Sequence, residues 1–176
     1  MDTMILHNDP VSFRWLRAAY QEAQLRSDDP STQNGAVLRP AGQQGNQVCY
    51  GINHFPHGLK LTEERLADRD VKLTYMEHAE RDVIYKAALR GIPTYEATLY
   101  VPWFACVSCA RAIIGAGITR VIGHLPMMVG TPDRWKEDIV KADAMLDEAG
   151  VQRRYLDAKL FDDDFQVLFN GEFWTP

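Results

Sequence analysis

After residue 76 the sequence alternates regularly between helical and extended patterns. Met76–Arg90 has the spacing of a helix and is followed by Gly91 and Pro93, which end helices. A short strand, EATLYVP, comes next, then a helix, CVSCARAIIGAG, and a second strand, ITRVIGH. A helix over Trp135–Ala149 and a last strand, VQRRYLD, complete the series. Strands that alternate with helices predict a layered α/β sheet whose later strands are joined by helical crossovers.

The first half of the chain predicts a helix, a hairpin and a long loop. The segment DPVSFRWLRAAYQEAQLRS has apolar residues at helical spacing. Two apolar runs, Ala36–Leu38 and Val48–Ile52, flank the glycine-rich AGQQG and favour a strand hairpin. His54–Thr74 contains proline, glycine and many charges, so we expect an inserted loop with about one turn of helix. The acidic and aromatic tail, 158–176, is expected to pack on the domain or on a neighbouring subunit.

Length, composition and charge exclude several classes of protein. At 176 residues, with 46% hydrophobic and 24% charged residues, the chain fits one globular domain over 1–176. No apolar run approaches the roughly 18 residues that a membrane-spanning helix needs, and the N-terminus lacks the features of a secretory signal. We therefore expect a cytoplasmic protein. The net charge of −5, with dispersed cations, disfavours a dedicated nucleic-acid binder but allows a small anionic substrate.

Three side chains have the pattern of a metal site. In a chain of this kind, cysteines indicate metal binding or catalysis before disulfides. Cys106 and Cys109 open a predicted helix, where the macrodipole and free N–H groups stabilise thiolates. His78, 28 positions earlier, opens another helix. One imidazole and two thiolates make three protein ligands, the number typical of a catalytic zinc.

Glu80 stands two residues after His78, a spacing that places side chains on different sides of a regular helix. At the first turn, however, side chains lean back towards the N-terminus, so both can approach one point. Zinc brings the pKa of a coordinated water close to neutrality, and Glu80 is the candidate to move that proton to a substrate nitrogen. H-x-E followed by C-x-x-C is the signature of zinc deaminases. A structural zinc site normally has four protein ligands and does not need the glutamate.

Longer segments extend this motif: SDDPSTQNGAVL, GINHFPHG, ERLADRDVKLTYMEHAERDVIYKAA and TLYVPWFACVSCARAIIGAGITRVI. Over about residues 10–125 they resemble the deoxycytidylate deaminase family. The resemblance implies a cytidine-deaminase-like three-layer α/β/α fold with a mixed five-stranded sheet. It also implies zinc-dependent hydrolysis of dCMP to dUMP and ammonia, which supplies dUMP for dTMP synthesis. The family's allosteric activation by dCTP, inhibition by dTTP with Mg²⁺, and homohexameric assembly are implied as well.

The same resemblance assigns the zinc ligands and the proton shuttle to the four residues already named. Asn53 matches the family's asparagine that holds the sugar hydroxyl, and the N–H of Ala79 would meet the pyrimidine carbonyl. Any effector site is expected near the loops Ser27–Gln33 and Gly51–Gly58, without assigned residues.

The chain departs from the family pattern at two positions. Ala105 stands where the family has proline before the first cysteine, so we expect a looser loop that keeps the ligand. Asp82 stands where the family favours asparagine, and a carboxylate in the first turn of a helix suits the dipole.

Three further residues have both a functional and a structural interpretation, and a fourth has only a structural one. Asn34 could donate to the base or sugar, or could be a turn asparagine. Trp103 and Phe104 could wall the base by stacking, while core packing is as good an explanation for one of them. Cys49 lies in a strand pattern and is expected to be a small buried hydrophobe.

The charged loop also leaves alternatives open. His54 and His57 could bind a second metal or a phosphate, or could be solvated loop histidines, which is the favoured interpretation because nothing supplies further ligands. Arg65, Arg69 and Lys72 could reach a 5′-phosphate or a nucleotide effector, or could form an exposed charged face.

Three functions compete. The first is deamination of free dCMP. The second is a tRNA or single-stranded DNA deaminase of the same fold, which the missing basic stripe disfavours. The third is a zinc-stabilised nucleotide-binding module without turnover, in which Glu80 would have no role.

Overall fold

The computed structural model describes residues 4–42 and 47–176. Its strands are β1 (Met4–Leu6), β2 (Gly35–Arg39), β3 (Cys49–Ile52), β4 (Thr98–Tyr100), β5 (Arg120–His124), β6 (Gln152–Leu156), β7 (Val167–Phe169) and β8 (Glu172–Trp174). Its helices are α1 (Pro10–Arg26), α2 (Glu63–Ala67), α3 (Arg69–Tyr75), α4 (Ala79–Leu89), α5 (Val107–Gly115), α6 (Leu125–Val129) and α7 (Asp133–Glu148). The helices and strands predicted after residue 76 are confirmed, with ends that differ by up to three residues.

Six strands form one mixed sheet in the order β1-β6-β5-β4-β2-β3. Strand β2 runs antiparallel to both β3 and β4, and the remaining pairs are parallel. The predicted mixed α/β sheet and its hairpin are confirmed, while residues 43–46 of the glycine-rich connection lie outside the described residues. The expected five strands become six because β1 pairs with β6 at the sheet edge. A strand of three residues is too short to show an alternation of apolar and polar positions in the sequence.

Helices cover both faces of the sheet and produce the predicted three layers. On one face α4, α5 and α7 enclose a core that includes Val83, Ile113 and Leu146. On the other face α1 and the C-terminal segment pack over Val37 and Ile122. Alternate residues of each strand therefore supply opposite cores.

Helix α4 lies unusually close to β3 because the strand has a glycine at the contact. A Cβ on Gly51 would lie 2.4 Å from the carbonyl oxygen of Ala79 and 2.6 Å from the nitrogen of Val83. Only a residue without a side chain allows this approach. The first turn of α4, which carries the candidate catalytic glutamate, is thus held against the sheet.

The inserted loop contains two short helices, α2 and α3, which is more helix than the sequence predicted. Thr62 caps α2 by accepting the N–H of Arg65, and Asp68 caps α3 by accepting the N–H groups of Asp70 and Val71. These caps satisfy N–H groups that a helix start leaves free, and so stabilise short helices in a charged segment. No helix in the two described ranges is both long and apolar enough to cross a membrane.

The C-terminal tail folds back on the domain through a two-stranded hairpin, β7–β8. The N–H of Gln33 donates to the carbonyl of Leu168 at 2.9 Å, and the N–H of Gly171 donates to that of Ser31 at 2.8 Å. These bonds place the hairpin beside the loop that precedes β2.

Candidate metal centre and active site

Two helix starts converge on one point. His78 is the N-cap residue of α4, and Cys106 is the N-cap residue of α5, where its sulfur accepts the N–H of Cys109. A short antiparallel bridge fixes the entry to α4, because the backbones of His54 and Glu77 exchange two hydrogen bonds of 3.1 and 2.8 Å. The two-residue spacing of His78 and Glu80 therefore occurs at a helix start, as predicted.

The three predicted ligands form a cluster with the dimensions of a zinc site. Both sulfurs lie 3.6 Å from Nδ1 of His78, and the sulfurs of Cys106 and Cys109 are 3.4 Å apart. A tetrahedral zinc with ordinary bond lengths needs nitrogen–sulfur and sulfur–sulfur edges of about 3.6 and about 3.8 Å. In the part of the chain that the structure describes, these three residues are the one group of histidine, cysteine or acidic side chains close enough together to hold a metal ion. The donor set therefore fits zinc.

Glu80 lies beside this cluster and is almost entirely buried, with 2% of its surface exposed. Its Oε2 atom has no hydrogen-bond partner among the described residues. Burial raises the pKa of its carboxyl to about 7, against the opposing charge of His78. A buried carboxylate oxygen without a partner is costly unless another group, such as a ligand or a substrate, completes its bonding.

The pKa values of the two thiols are shifted in opposite directions. The hydrogen bond from Cys109, aided by His78, lowers the pKa of Cys106 to about 3. The same bond and burial raise the pKa of Cys109. Without a metal, the pair thus favours one thiolate, at the start of α5, where the helix dipole stabilises negative charge.

Asn53 joins the strand side of the site to the start of α4. Its Oδ1 accepts the N–H of Ala79 at 3.0 Å, and its Nδ2 donates to the carbonyl of Thr32 at 3.1 Å. The roles predicted for Asn53 towards a sugar hydroxyl and for Ala79 towards a pyrimidine carbonyl stay predictions. The second role requires the Ala79 N–H to be shared with Asn53.

Asn34 holds the backbone of Trp103 in place. Its Nδ2 donates to the Trp103 carbonyl at 2.7 Å, and its Oδ1 accepts the Trp103 N–H at 3.4 Å. The indole of Trp103 donates to the hydroxyl of Thr131 and contacts the ring of Trp135 edge to face. Phe104, by contrast, is 1% exposed and stacks on Tyr155, so its main role is packing.

Asp82 bonds to three groups behind the site. Its carboxylate accepts the Ile52 N–H at 2.9 Å and pairs with Nε2 of His54 at 3.0 Å and Nζ of Lys86 at 2.6 Å. Burial alone would raise the pKa of Asp82, but these hydrogen bonds lower it. The aspartate is therefore a buried, paired carboxylate that ties α4 to the end of β3, and His54 has a structural partner in place of a second metal.

Two cavities meet at the ligand cluster. The first, the metal-side cavity, has a volume of about 30 Å³ and is lined by Asn34, Asn53, His78, Glu80, Trp103, Phe104, Ala105, Cys106, Trp135 and Ile139. The second, the polar cavity, has a volume of about 310 Å³ and shares Asn53, His78, Trp103 and Trp135 with the first. Its wall also includes three cations, Arg69, Lys72 and Arg134.

Several site residues were not predicted from the sequence. Trp135 contacts the ring of His78 edge to face, with centroids 6.2 Å apart. Asp138 accepts the N–H of Val107 at 2.9 Å and so caps α5 from a neighbouring helix. Arg134 and Asn170 come together from α7 and the C-terminal hairpin. Trp135 opened a predicted helix, but no local pattern placed it, or the others, near the site.

Three of the remaining candidates lie away from the ligands, and the fourth, Ala105, lies beside one of them. Cys49 is fully buried in the core, as predicted. Arg65 lies over the ring of Tyr75 and donates to the carbonyl of Lys60, outside both cavities. His57 lines neither cavity. Ala105 is buried on the wall of the metal-side cavity, directly before a ligand that keeps its place in the cluster.

A mixed sheet between helices, with a His-Cys-Cys cluster and a buried glutamate at two helix starts, defines a deaminase of the cytidine-deaminase-like class. The chain belongs to the MafB19-like deaminase family, whose model matches residues 11–133.

Individual relatives agree with this class. A protein of Aliivibrio fischeri described as an uncharacterized deaminase in the luxG 3′ region is 33% identical over 151 residues, which are 81% of this chain and 94% of that protein. Deoxycytidylate deaminase of Mus musculus is 35% identical over 116 residues, 61% of each chain. The crystal structure of dCMP deaminase from the cyanophage S-TIM5 has a TM-score of 0.63 and covers 84% of this chain and 98% of its own. At 17% identity, that likeness shows a common fold.

Proposed function

We propose that the protein is a zinc-dependent hydrolase that converts dCMP and water to dUMP and ammonia. The observation that carries the proposal is the ligand cluster of His78, Cys106 and Cys109 beside the unpartnered Oε2 of the buried Glu80. The names of the relatives support the substrate, because the mouse protein and the human protein, 34% identical, are both deoxycytidylate deaminases.

Zinc, when bound by these three side chains, would supply a Lewis acid and acidify a water molecule. The chain's own contribution is proton movement and positioning. The oxygen of the attacking water bonds to C4 of the base, and Glu80 moves the two protons of that water, one to N3 and one to the amino nitrogen, so that the C4–N bond breaks and ammonia leaves. Its burial keeps the carboxylate free of bulk water, and the start of α4 fixes its direction towards the ligands.

Two aromatic rings bound the space in front of the ligands. Trp103 and Trp135 both line the metal-side cavity, and Asn34 fixes the backbone of Trp103. Flat apolar walls beside a polar reactive centre suit a pyrimidine ring, which such sites hold by stacking and by hydrogen bonds to its edge. Asn53 and the N–H of Ala79 are the polar groups proposed to meet the sugar and the base carbonyl.

The test is ammonia release from dCMP, deoxycytidine, dCTP, a cytosine-containing DNA oligonucleotide and tRNA, with zinc content measured on the same sample. We expect about one zinc per chain and turnover that is fastest with dCMP. Faster turnover of the oligonucleotide or tRNA would favour the polynucleotide deaminase. Tight dCMP binding with no turnover of any substrate would favour the non-catalytic module.

Regulation and assembly are further parts of the proposal. Activation by dCTP, inhibition by dTTP with Mg²⁺, a homohexamer and a cytoplasmic location stay predictions that rest on the family resemblance. An effector must bind two states of the protein with different affinities. Rates against dCMP concentration, with and without each triphosphate, test the regulation, and light scattering tests the assembly.

A further inference from the structure

The polar cavity begins where the metal-side cavity ends. At about 310 Å³ it has the volume of a small-molecule site, for which about 300–1,000 Å³ is usual. Its wall comes mainly from the loop before β2, the inserted loop, the start of α7 and the C-terminal hairpin. Ser31, Thr32 and Asn170 add polar groups to the three cations.

One of the three cations is already neutralised. Nζ of Lys72 contacts Oδ1 of Asp29 at 2.5 Å, and both side chains are buried. The same carboxylate oxygen accepts the N–H groups of Ser31 and Thr32 at 2.8 and 3.2 Å. Asp29 therefore has its charge compensated, and the pair forms a neutral floor under the cavity.

The other two cations have no buried carboxylate partner among the residues that the structure describes. Arg69 forms an ion pair with Asp70 at 3.7 Å, but 94% of the Asp70 side chain is exposed, so the pair is weak. Arg134 donates to Oδ1 of Asn170, which is a neutral amide. The rim of the polar cavity thus has two guanidinium groups whose charge is not compensated inside it.

These two cations lie next to the reactive centre. The guanidinium of Arg69 lies 5.7 Å from the ring centroid of Trp135, and that ring contacts the imidazole of His78. Arg134 is the residue before Trp135 in α7. A ligand whose base reaches the metal-side cavity would therefore extend its remaining groups past Trp135 towards both arginines.

We propose that Arg69 and Arg134 bind the 5′-phosphate of a nucleoside monophosphate, so that the polar cavity selects nucleotides over nucleosides. The proposal rests on the proposed function for the position of the base. A phosphate monoester has a charge of about −1.5 to −2 near pH 7, which matches two guanidinium groups, and arginine binds phosphate through two parallel hydrogen bonds. Arg134 and Asn170 lie beyond the 11–133 segment that the family model matches.

The test is equilibrium binding by calorimetry, with dUMP, deoxyuridine and inorganic phosphate as probes, for the wild type, Arg69→Gln, Arg134→Gln and the double variant. Each substitution should weaken dUMP binding about 10-fold, and the double variant about 100-fold, with no change for deoxyuridine. Arg134→Lys should fall between the wild type and Arg134→Gln, because it keeps the charge without the fork. Arg65→Gln is the matched control, since it removes an arginine of the same loop that lines neither cavity, and it should bind dUMP as the wild type does.

The outcomes separate this inference from the proposed function. Phosphate-dependent binding that both arginine variants weaken supports the subsite, even if no substrate is turned over and the deaminase assignment fails. Equal affinity for dUMP and deoxyuridine overturns the subsite, even if both dCMP and deoxycytidine are deaminated. Equal weakening of dUMP and deoxyuridine by Arg134→Gln also overturns it, because the residue would then act on the fold. Tighter binding of a DNA oligonucleotide than of dUMP would overturn selection of a free monophosphate.

Discussion

The two cavities share the ring of His78 but differ in size, polarity and origin. The metal-side cavity, about 30 Å³, is built mainly by helix starts and by the segment between β4 and α5. The polar cavity is about ten times larger and is built mainly by the loop before β2, the inserted loop, the start of α7 and the C-terminal hairpin. Under the two proposals above, reaction and recognition use different parts of the chain: short, fixed distances serve the chemistry, and open, charged walls serve selectivity.

The largest effect is expected from removing either thiolate of the metal-side cavity. Cys106→Ala or Cys109→Ala should reduce bound zinc from about one per chain to near zero and abolish ammonia release, because two ligands do not hold a catalytic zinc. Zinc analysis by atomic absorption measures this. Cys49→Ala is the matched control, since that cysteine lies in the core away from the cluster, and it should keep its zinc. Full zinc content in Cys106→Ala would contradict the assignment.

Glu80→Gln tests the reaction without disturbing the ligands. Turnover should fall about 100- to 10,000-fold, the usual contribution of a general acid–base, while zinc content stays unchanged. Glu63→Gln, at an exposed position of α2, should keep wild-type turnover. Substantial activity in Glu80→Gln would leave the metal-side cavity without its proposed proton carrier.

Lys72→Met tests the floor of the polar cavity. The substitution leaves the buried carboxylate of Asp29 without its cation, so the free energy of unfolding should fall by about 3 kcal/mol. Chemical denaturation measures the loss. Lys60→Met, at an exposed position of the same loop, should leave stability unchanged. An unaffected Lys72→Met variant would mean that the ion pair does not hold this wall.

Gly51→Ala tests how closely α4 must approach the sheet. A methyl group would lie 2.4 Å from the Ala79 carbonyl oxygen, so we expect a loss of about 2 kcal/mol in the free energy of unfolding, together with weaker zinc binding. Gly115→Ala is the control because no atom lies within 4 Å of its added Cβ, and it should be neutral or slightly stabilising. Unchanged zinc affinity in Gly51→Ala would show that the metal-side cavity tolerates a shift of α4.

The smallest expected effect concerns the pair of His54 and Asp82. The hydrogen bond to Asp82 raises the pKa of His54 above 6.5, so its stabilisation is fully present below pH 6.5 and is lost as the pH rises through the raised value. The lowered pKa of Asp82 makes its stabilisation present above pH 3.8 and lost as the pH falls through the lowered value. His54→Gln should therefore cost most between pH 3.8 and 6.5, by about 1 kcal/mol.

Urea unfolding at several pH values measures this difference. His57→Gln, in the same loop, is the control and should follow the wild type at every pH. A cost for His54→Gln that is largest above pH 8 would contradict the pairing.

The sequence by itself determined the alternation of strands and helices and the three candidate ligands with the glutamate beside them. These features are local, because apolar periodicity, glycines that end helices and the start of a helix are each encoded within a few residues. Their chemistry is also specific, since one histidine and two cysteines at helix starts have few other uses. The hairpin, the crossovers and the meeting of the candidate ligands with Glu80 at two helix starts could therefore be predicted from the sequence.

Only the tertiary structure decided what surrounds that site. The sixth strand, the capping of α5 by Asp138, the place of Trp135 beside His78 and the meeting of Arg134 with Asn170 all join residues that are distant in sequence. No local pattern encodes such contacts, because a tryptophan or an arginine at a helix start has the same local sequence whether it faces solvent or a neighbouring loop. The polar cavity exists only once the inserted loop and the C-terminal hairpin have packed against the same edge of the domain.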